Sequence, residues 1–328
     1  MLTSLHIKNF RGLRDLKIEP LKRVNLITGQ NNTGKTGVLE ALTLLLDEPT
    51  PNQNFSNNLP NLFRIAGGDW NENFWKWLFN NKNSESRIEI KASVDGAMDF
   101  GIHLQTNKEN RHNQYGTPIE PIKTFGNIFC YSIGEKTKAD LKPAIFSTHP
   151  SNPTQDAIDY NRVILKRRKK QVEKLLKEIE PRLQAIEALQ IGQQGQTSPL
   201  IYADLGLSEM IPVTQLGQGF NRLLDIYSEI VTADAKVLLI DEIENGLHHS
   251  VLPVIWKGLF LAAKEFDVQI FATTHSWECI LAADEAARAG ENYDLALIRL
   301  DRVKEDIKAT VIDEKSLSTA KALQWEMR

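Results

Sequence analysis

An apolar pentapeptide, Val24-Asn25-Leu26-Ile27-Thr28, runs into Gly29-Gln30-Asn31-Asn32-Thr33-Gly34-Lys35-Thr36, and apolar residues recur at helical spacing from Val38 to Leu46. The octapeptide fits G-x-x-x-x-G-K-[ST]. Its setting constrains the fold more than any other stretch, because a buried strand, a glycine loop and a helix in that order read as the opening of an α/β layer. The glycines let the backbone curl so that N–H groups of Asn31, Asn32, Thr33 and Gly34 turn inward, as a phosphate demands. Lys35 reaches the β- and γ-phosphates as a point charge, and the Thr36 hydroxyl is placed to ligate Mg²⁺. A helix starting near Lys35 adds its free N–H groups and the positive end of its dipole.

The rest of the chain alternates in the same way. A strand at Lys236–Ile240, helices from Phe220 and Ser250, a strand at Val268–Ala272 and a helix from Ser276 predict a mostly parallel core sheet. Ahead of the loop, Leu2–Lys8 and Leu13–Ile18 alternate apolar and polar residues, which predicts an antiparallel layer beside that core. Arg87–Val94 and Met98–Gln105 flank Asp95-Gly96, a hairpin turn signal. Lys123–Ile133 reads as one further strand, Trp70–Phe79 as a short aromatic helix, and Pro49–Pro60 and Gly134–Pro153 as loops. Leu295–Val303 and Asp306–Ile312 read as a strand pair, followed by a last helix.

Between the two halves the pattern changes. From Asp156 to Gln190 the chain is charged, and Val172, Leu176, Ile179, Leu183 and Ile186 step by fours and threes, a coiled-coil-like seam that Pro181 kinks or turns. Ile191–Ser198, rich in Gly and Gln, reads as a loop. The expected organisation is therefore 1–150 as a phosphate-loop lobe, 151–198 as a helical insertion and 199–328 as the second part of the core.

With 328 residues, 41% hydrophobic, and a formal net charge of −3, nothing global demands a nucleic-acid or membrane partner. Cys130 and Cys279 each sit in an apolar segment, which suits core thiols in a reducing compartment. With no membrane-length apolar stretch and no signal-peptide layout at Met1–His6, a cytoplasmic protein is expected.

Chemistry concentrates at three further places. Val237-Leu238-Leu239-Ile240 ends in Asp241-Glu242. The first acid suits Mg²⁺, through water, and the second suits orienting and deprotonating an attacking water. Phe271-Ala272-Thr273-Thr274-His275-Ser276 puts His275 at a strand's carboxyl end, where open α/β sheets bind ligands, with Ser276 as N-cap of the next helix. His275 can hydrogen-bond a γ-phosphate or serve only as a structural residue. Leu216-Gly217-Gln218-Gly219-Phe220 opens another helix and is either a second anion site or a plain helix-entry turn.

Taken together and in this order, the phosphate loop, glycine signature, strand-Asp-Glu and strand-end His resemble the ABC-type ATPase heads, nearest the RecF, SMC and OLD-type group. Ile7-Lys8-Asn9-Phe10-Arg11-Gly12, Asn31-Asn32 and Asp241-Glu242-Ile243-Glu244-Asn245-Gly246-Leu247-His248 carry the likeness. The resemblance implies a P-loop NTPase head that binds ATP and Mg²⁺ and dimerises, or assembles further, around the nucleotide. It implies Gly217 and Gly219 on the partner's γ-phosphate, Asn245–His248 at the dimer interface, Arg11 near the nucleotide of its own protomer, and Glu242 as general base. Such an ATPase switches a partner in DNA repair or antiphage defence; the alternative is a nucleotide-gated scaffold with little turnover that holds a separate nuclease or toxin. Two departures stand out. The signature serine is missing, and no glutamine follows Asn127–Tyr131 where the family places one. OLD-type nucleases continue into a Toprim domain, whereas this sequence stops at Arg328, so any nuclease is expected on another chain.

Weaker signals stay double. Arg162 and Lys166-Arg167-Arg168-Lys169-Lys170 suit DNA or RNA backbone, or simply the solvated face of a helix. Trp70, Phe74, Trp75, Trp77 and Phe79 suit core or a partner patch better than base stacking. His248-His249 with His275 lack a cysteine or further acid at ligand spacing, so zinc is not expected. No Asn-Lys-x-Asp element occurs, which by resemblance favours ATP over GTP.

Overall fold

A computed structural model describes residues 1–46, 77–83, 85–95, 100–106, 123–125, 128–133, 141, 143–146, 153–191 and 198–322. In chain order the elements are β1 (Leu2–Phe10), β2 (Leu13–Ile18), β3 (Val24–Thr28), α1 (Lys35–Leu46), β4 (Ile88–Val94), β5 (Phe100–Gln105), β6 (Lys123–Phe125), β7 (Ile128–Ile133) and β8 (Pro143–Phe146). There follow α2 (Pro153–Leu165), α3 (Lys169–Lys177), β9 (Ala185–Ile191), β10 (Ser198–Asp204) and β11 (Ile211–Pro212). The chain continues through α4 (Gln218–Ala233), β12 (Val237–Ile240), α5 (Leu252–Glu265), β13 (Gln269–Thr273), α6 (Trp277–Arg288), β14 (Leu295–Val303), β15 (Asp306–Ile312) and α7 (Glu314–Ala322).

The core sheet has the order β15-β14-β3-β13-β12-β8, parallel except for β15 at one edge. Its central strands are apolar throughout because both faces are covered. In β12, Leu238 and Ile240 join one apolar cluster with Trp256, Tyr227 and Leu259 of the helices. Val237 and Leu239 point the other way, into a second cluster with α1 and the second sheet. That sheet is antiparallel, in the order β2-β1-β4-β5-β7-β6. The α1 helix runs between the two sheets, which is why ten of its twelve residues are buried. Each fully buried leucine there contributes about 1.5–3 kcal/mol. Gln269 ties the sheets together: its Nε2 donates to the carbonyls of Leu2 and Lys22, and its Oε1 accepts from Leu2 N, each at 2.8 Å.

The expected α/β class, antiparallel lobe and mostly parallel core are all present, and so is the hairpin pairing of β4 with β5. Both cysteines are buried, and neither is in a disulfide. Four readings are corrected. Lys123–Ile133 is a hairpin, β6 with β7, not one strand. The stretch expected as a loop, Gly134–Pro153, contains β8, which pairs with β12 as the other edge of the core sheet. Leu78 and Phe79 are not helical: Phe79 bridges Phe10 and is buried, while Trp77 is exposed. Trp70, Phe74, Trp75 and the Pro49–Pro60 loop lie outside the described residues, as do residues 192–197 of the expected Ile191–Ser198 loop.

The fourth correction concerns the insertion. Its helices stop at Lys177, and Leu183 and Ile186 do not continue the seam: Ile186 stands in β9. A hairpin of β9 and β10, extended by β11, forms a third sheet. All five seam residues do pack in the core with the helices, so their burial was legible but their period was not. Pro181 ends helical hydrogen bonding, and the strand that captures Ile186 arrives from beyond residue 197. No helix among the described residues is long and apolar enough to cross a membrane.

Candidate nucleotide site

Three neighbouring strands, β3, β13 and β12, deliver their loops to the same edge of the core sheet. The parallel register pairs Ile240 with Ala272, and Thr273 with Ile27. Asp241 and Thr273 therefore emerge side by side, next to the loop that follows Thr28.

The loop itself is shaped by its glycines. A Cβ on Gly29 would stand 2.4 Å from the Leu300 carbonyl oxygen, and Gly34 has φ +84°, a left-handed backbone that disfavours other residues. Thr33 donates its hydroxyl to Gln30 O at 2.8 Å, closing the loop from inside, whereas Asn31 and Asn32 are exposed. Arg302, on β14, donates to Asn32 O at 2.9 Å and braces the loop from outside. The Lys35 ammonium folds back onto Gly29 O at 2.8 Å and Gln30 O at 3.0 Å. Burial lowers its pKa, against the pull of Asp241, Glu242 and Glu244.

Asp241 is the meeting point. Thr36 Oγ1 donates to its Oδ2 at 3.0 Å and Thr273 Oγ1 to its Oδ1 at 2.5 Å, while Glu242 N donates to Thr273 Oγ1 at 2.8 Å. A hydroxyl and a carboxylate brought together this way form an all-oxygen donor set, which suits a hard divalent cation. Among the described residues no group of three or more His, Cys, Asp or Glu gathers into a metal cage. Glu242 is exposed and has φ +47°, so its backbone is held in a costly left-handed conformation with the carboxylate turned to the open edge.

His275 follows β13, and the predicted cap is present: Ser276 Oγ accepts from Cys279 N at 3.1 Å. The imidazole is tied to Glu244. Glu244 Oε1 accepts from His275 N at 2.8 Å and lies 3.0 Å from His275 Nδ1. The loop from Asp241 is pinned again by Ile243 N, which donates to Thr273 O at 3.1 Å.

The remaining expected residues are spread more widely. Arg11, itself at φ +51°, holds Glu40 of α1, with Nε 2.8 Å from Oε2. Burial raises the Glu40 carboxyl to about 8 against the opposing charge of Arg11. Gly217 has φ +91° at the N-terminus of α4, where Gly219 packs against Val251 and Val254. Neither glycine belongs to the hydrogen-bonded group around Asp241 among the described residues. Asn245–His248 form an exposed turn closed by Asn245 N on Glu242 O at 2.8 Å.

Half of the basic stretch, Arg162, Lys166 and Lys169, is ion-paired in place. Lys166 pairs with Asp234 at 2.5 Å, Arg162 with Asp159 at 2.8 Å, Lys174 with Glu265 at 2.9 Å, and Lys169 with Glu187. Arg167 sits at φ +58° in the turn between α2 and α3.

Sequence reasoning missed Thr273, Arg302 and Glu244. Thr273 had a usable signal, because a hydroxyl at the end of one parallel strand faces the acid at the end of its neighbour. Glu244 had one too: an acid beyond Asp241-Glu242, in a segment already singled out. Arg302 had none, since only the sheet order brings β14 beside β3.

Comparison with known proteins agrees with this geometry. A family model described as an AAA domain matches residues 4–225. A Helicobacter pylori protein named ATP/GTP phosphatase is 24% identical over 335 residues, spanning 88% of this chain and 89% of its own length. Among solved structures, an SMC head bound to the C-winged helix domain of ScpA superposes with TM-score 0.58 at 13% identity, covering 97% of this chain and 99% of the other. The SMC head domain from Thermotoga maritima gives TM-score 0.51 at 14% identity, covering 95% and 99%. The fold is that of an SMC-type ATPase head.

Proposed function

The chain belongs to the AAA-domain family, and from that premise we propose that it binds ATP with Mg²⁺, hydrolyses it, and uses the nucleotide to join two copies of itself. The observation that carries this reading is the contact set Thr36–Asp241–Thr273–Glu242, which couples the phosphate loop to both acids. Mg²⁺ would be held by Thr36 and, through water, Asp241; when bound it neutralises phosphate charge. Lys35 leaves the carbonyls of Gly29 and Gln30 for the phosphates. Asn31, Asn32, Thr33 and Gly34 supply loop N–H groups, and Arg302 keeps the loop in shape. Glu242 takes the proton of the attacking water. His275 holds a γ-phosphate oxygen, and Gly217 and Gly219 of the second copy close on it. Phosphoryl transfer asks for such positioning and electrostatics more than for covalent chemistry. The relative named ATP/GTP phosphatase supports hydrolysis of a triphosphate.

The test is Mg²⁺-dependent phosphate release by the purified chain, with Glu242→Gln sized with and without ATP. The expected outcome is turnover in the parent protein, none in the variant, and an ATP-dependent doubling of mass in the variant. A Glu242→Gln protein that hydrolyses at the parental rate removes Glu242 as base; one that stays monomeric with ATP bound removes the sandwich. A second reading, a nucleotide-gated scaffold with little turnover holding a nuclease or toxin, is favoured by the signature Leu216-Gly217-Gln218-Gly219-Phe220, which has no hydroxyl to offer the γ-phosphate. Binding without steady-state turnover would select it. On either reading the setting is the cytoplasm, in DNA maintenance or antiphage defence.

A further inference from the structure

His275 has two ring nitrogens, and one of them, Nδ1, lies 3.0 Å from a carboxylate oxygen. Glu244 Oε1 lies 3.0 Å from Nδ1 and also accepts from the residue's own N–H at 2.8 Å. The carboxylate thus accepts a hydrogen bond from the backbone and lies within ion-pair distance of the ring. It is well placed to be rigid: Glu244 is 10% exposed, whereas the His275 ring is 56% exposed. The backbone of the acid is fixed as well, by Ile243 N on Thr273 O and by Leu247 N on Glu244 O at 3.0 Å. Glu244 Oε2 is buried and has no hydrogen-bond partner among the described residues, where the carboxylate's bonding is concentrated on the oxygen that meets His275.

The tautomer of a histidine is set by the bond its other nitrogen makes. With Nδ1–H given to a carboxylate, a neutral ring presents only a lone pair at Nε2. A γ-phosphate oxygen is an acceptor, so it is met by Nε2–H only when the ring carries both protons, and Glu244 then supplies the balancing charge. We propose that Glu244 is the positioning residue of His275: it fixes the ring by Nδ1 and supports the doubly protonated form that offers Nε2–H to the γ-phosphate. The inference rests on the ATP-hydrolysing reading for its consequence but not for its geometry. It separates the roles of the acids after β12: Asp241 for the cation, Glu242 for water, Glu244 for the histidine.

The experiment follows the His275 ring nitrogens by ¹⁵N NMR in the full chain, assigned by the signal lost in His275→Gln. Spectra are taken alone and with Mg²⁺ and a non-hydrolysable ATP analogue. Nδ1 is expected to carry the proton in the free protein, and both nitrogens in the complex. In Glu244→Ala the ring should revert to the Nε2–H tautomer. Glu244→Gln, which keeps an acceptor without charge, should retain Nδ1–H yet fail to gain the second proton. It also serves if the alanine variant does not fold. In turnover, Glu244→Ala should lose about 10- to 100-fold in kcat, the usual cost of removing an orienting partner, with KM for ATP changed less than about threefold. Glu244→Gln should recover part of the loss, and Glu244→Ala added to His275→Gln should cost less than about twofold more. An Nε2–H tautomer in the parent protein, or losses that multiply in the double variant, would overturn the assignment. A parent protein that shows the ring signature with the analogue but releases no phosphate refutes hydrolysis and leaves the positioning role standing.

Discussion

The edge of the core sheet that carries Gly29–Thr36, Asp241–Glu244 and Thr273–His275 differs in kind from the insertion built of α2, α3 and β9–β11. In the insertion, charges find partners within it or on the helices it packs against: Lys169 with Glu187, Lys166 with Asp234, Lys174 with Glu265, and Lys257 Nζ with Glu178 O at 2.8 Å. At the sheet edge, Lys35 is spent on loop carbonyls, Thr36 and Asp241 hold each other, and Thr28 Oγ1 and Glu244 Oε2 are buried without a hydrogen-bond partner among the described residues. Surface ion pairs of the first kind contribute about 0–1 kcal/mol each and mainly keep an apolar unit soluble. Buried polar atoms of the second kind cost stability, which a chain retains where they serve a ligand. One region is built to be satisfied alone, and the other to be completed by what binds.

Substitutions can break this contrast, since edge changes should alter chemistry at constant stability and insertion changes the reverse. The largest effect belongs to Glu242→Gln, expected to lower kcat by about 10²- to 10⁴-fold with the thermal midpoint unchanged. Lys35→Ala should weaken ATP binding by about 10- to 150-fold, the worth of charge-assisted hydrogen bonds, as calorimetric titration would show. Leu176→Ala, in the insertion's buried face, should cost about 2–5 kcal/mol in denaturant unfolding, while turnover per folded molecule holds. If turnover fell instead, the insertion would be part of the catalytic machinery and the contrast would fail.

A smaller effect lies where the insertion meets α4. Burial and the nearby Asp156 raise the Asp225 carboxyl to about 8, with Arg222 opposing. Its folded value exceeds the ordinary 3.8, so its stabilising contribution is complete at low pH and is lost as pH rises through about 8. The thermal midpoint should therefore decline between pH 6 and about 8.5, and less steeply in Asp225→Asn. The smallest effect is expected at Arg167→Glu, within about 0.5 kcal/mol of the parent protein in stability. A large loss of nucleic-acid affinity in that variant, with a shallower salt dependence, would restore the basic helix as a contact surface.

Legibility followed the range of the interactions. Helices and strands from Phe220 to the end were readable because each is a contiguous pattern with local caps, such as Ser276 on Cys279 N. Lys123–Ile133 reads as one strand even though Gly126-Asn127, a two-residue hairpin signal, lies between its two halves. Leu183 and Ile186 look helical by spacing, yet β10 pairs Ile186 with Ala203 from beyond the Gly/Gln-rich stretch, a pairing that no local pattern announces. Within the site, Gly29–Thr36 and Asp241-Glu242 were plain, whereas Glu244 was visible only as part of a family-like segment.

The sequence by itself determined the strand, the phosphate loop and the helix that follows, because one short segment contains both the backbone shape and the charges that a triphosphate requires. It also marked the seam residues Val172, Leu176, Ile179, Leu183 and Ile186 as core-facing, and they do pack against the core. Only the tertiary structure decided that Thr36 meets Asp241 across 205 residues, that Thr273 holds the same carboxylate, and that Glu244 takes Nδ1 of His275. Those pairings depend on parallel strand order and register, which are set by hydrogen bonds and packing between segments that have no sequence relation to one another.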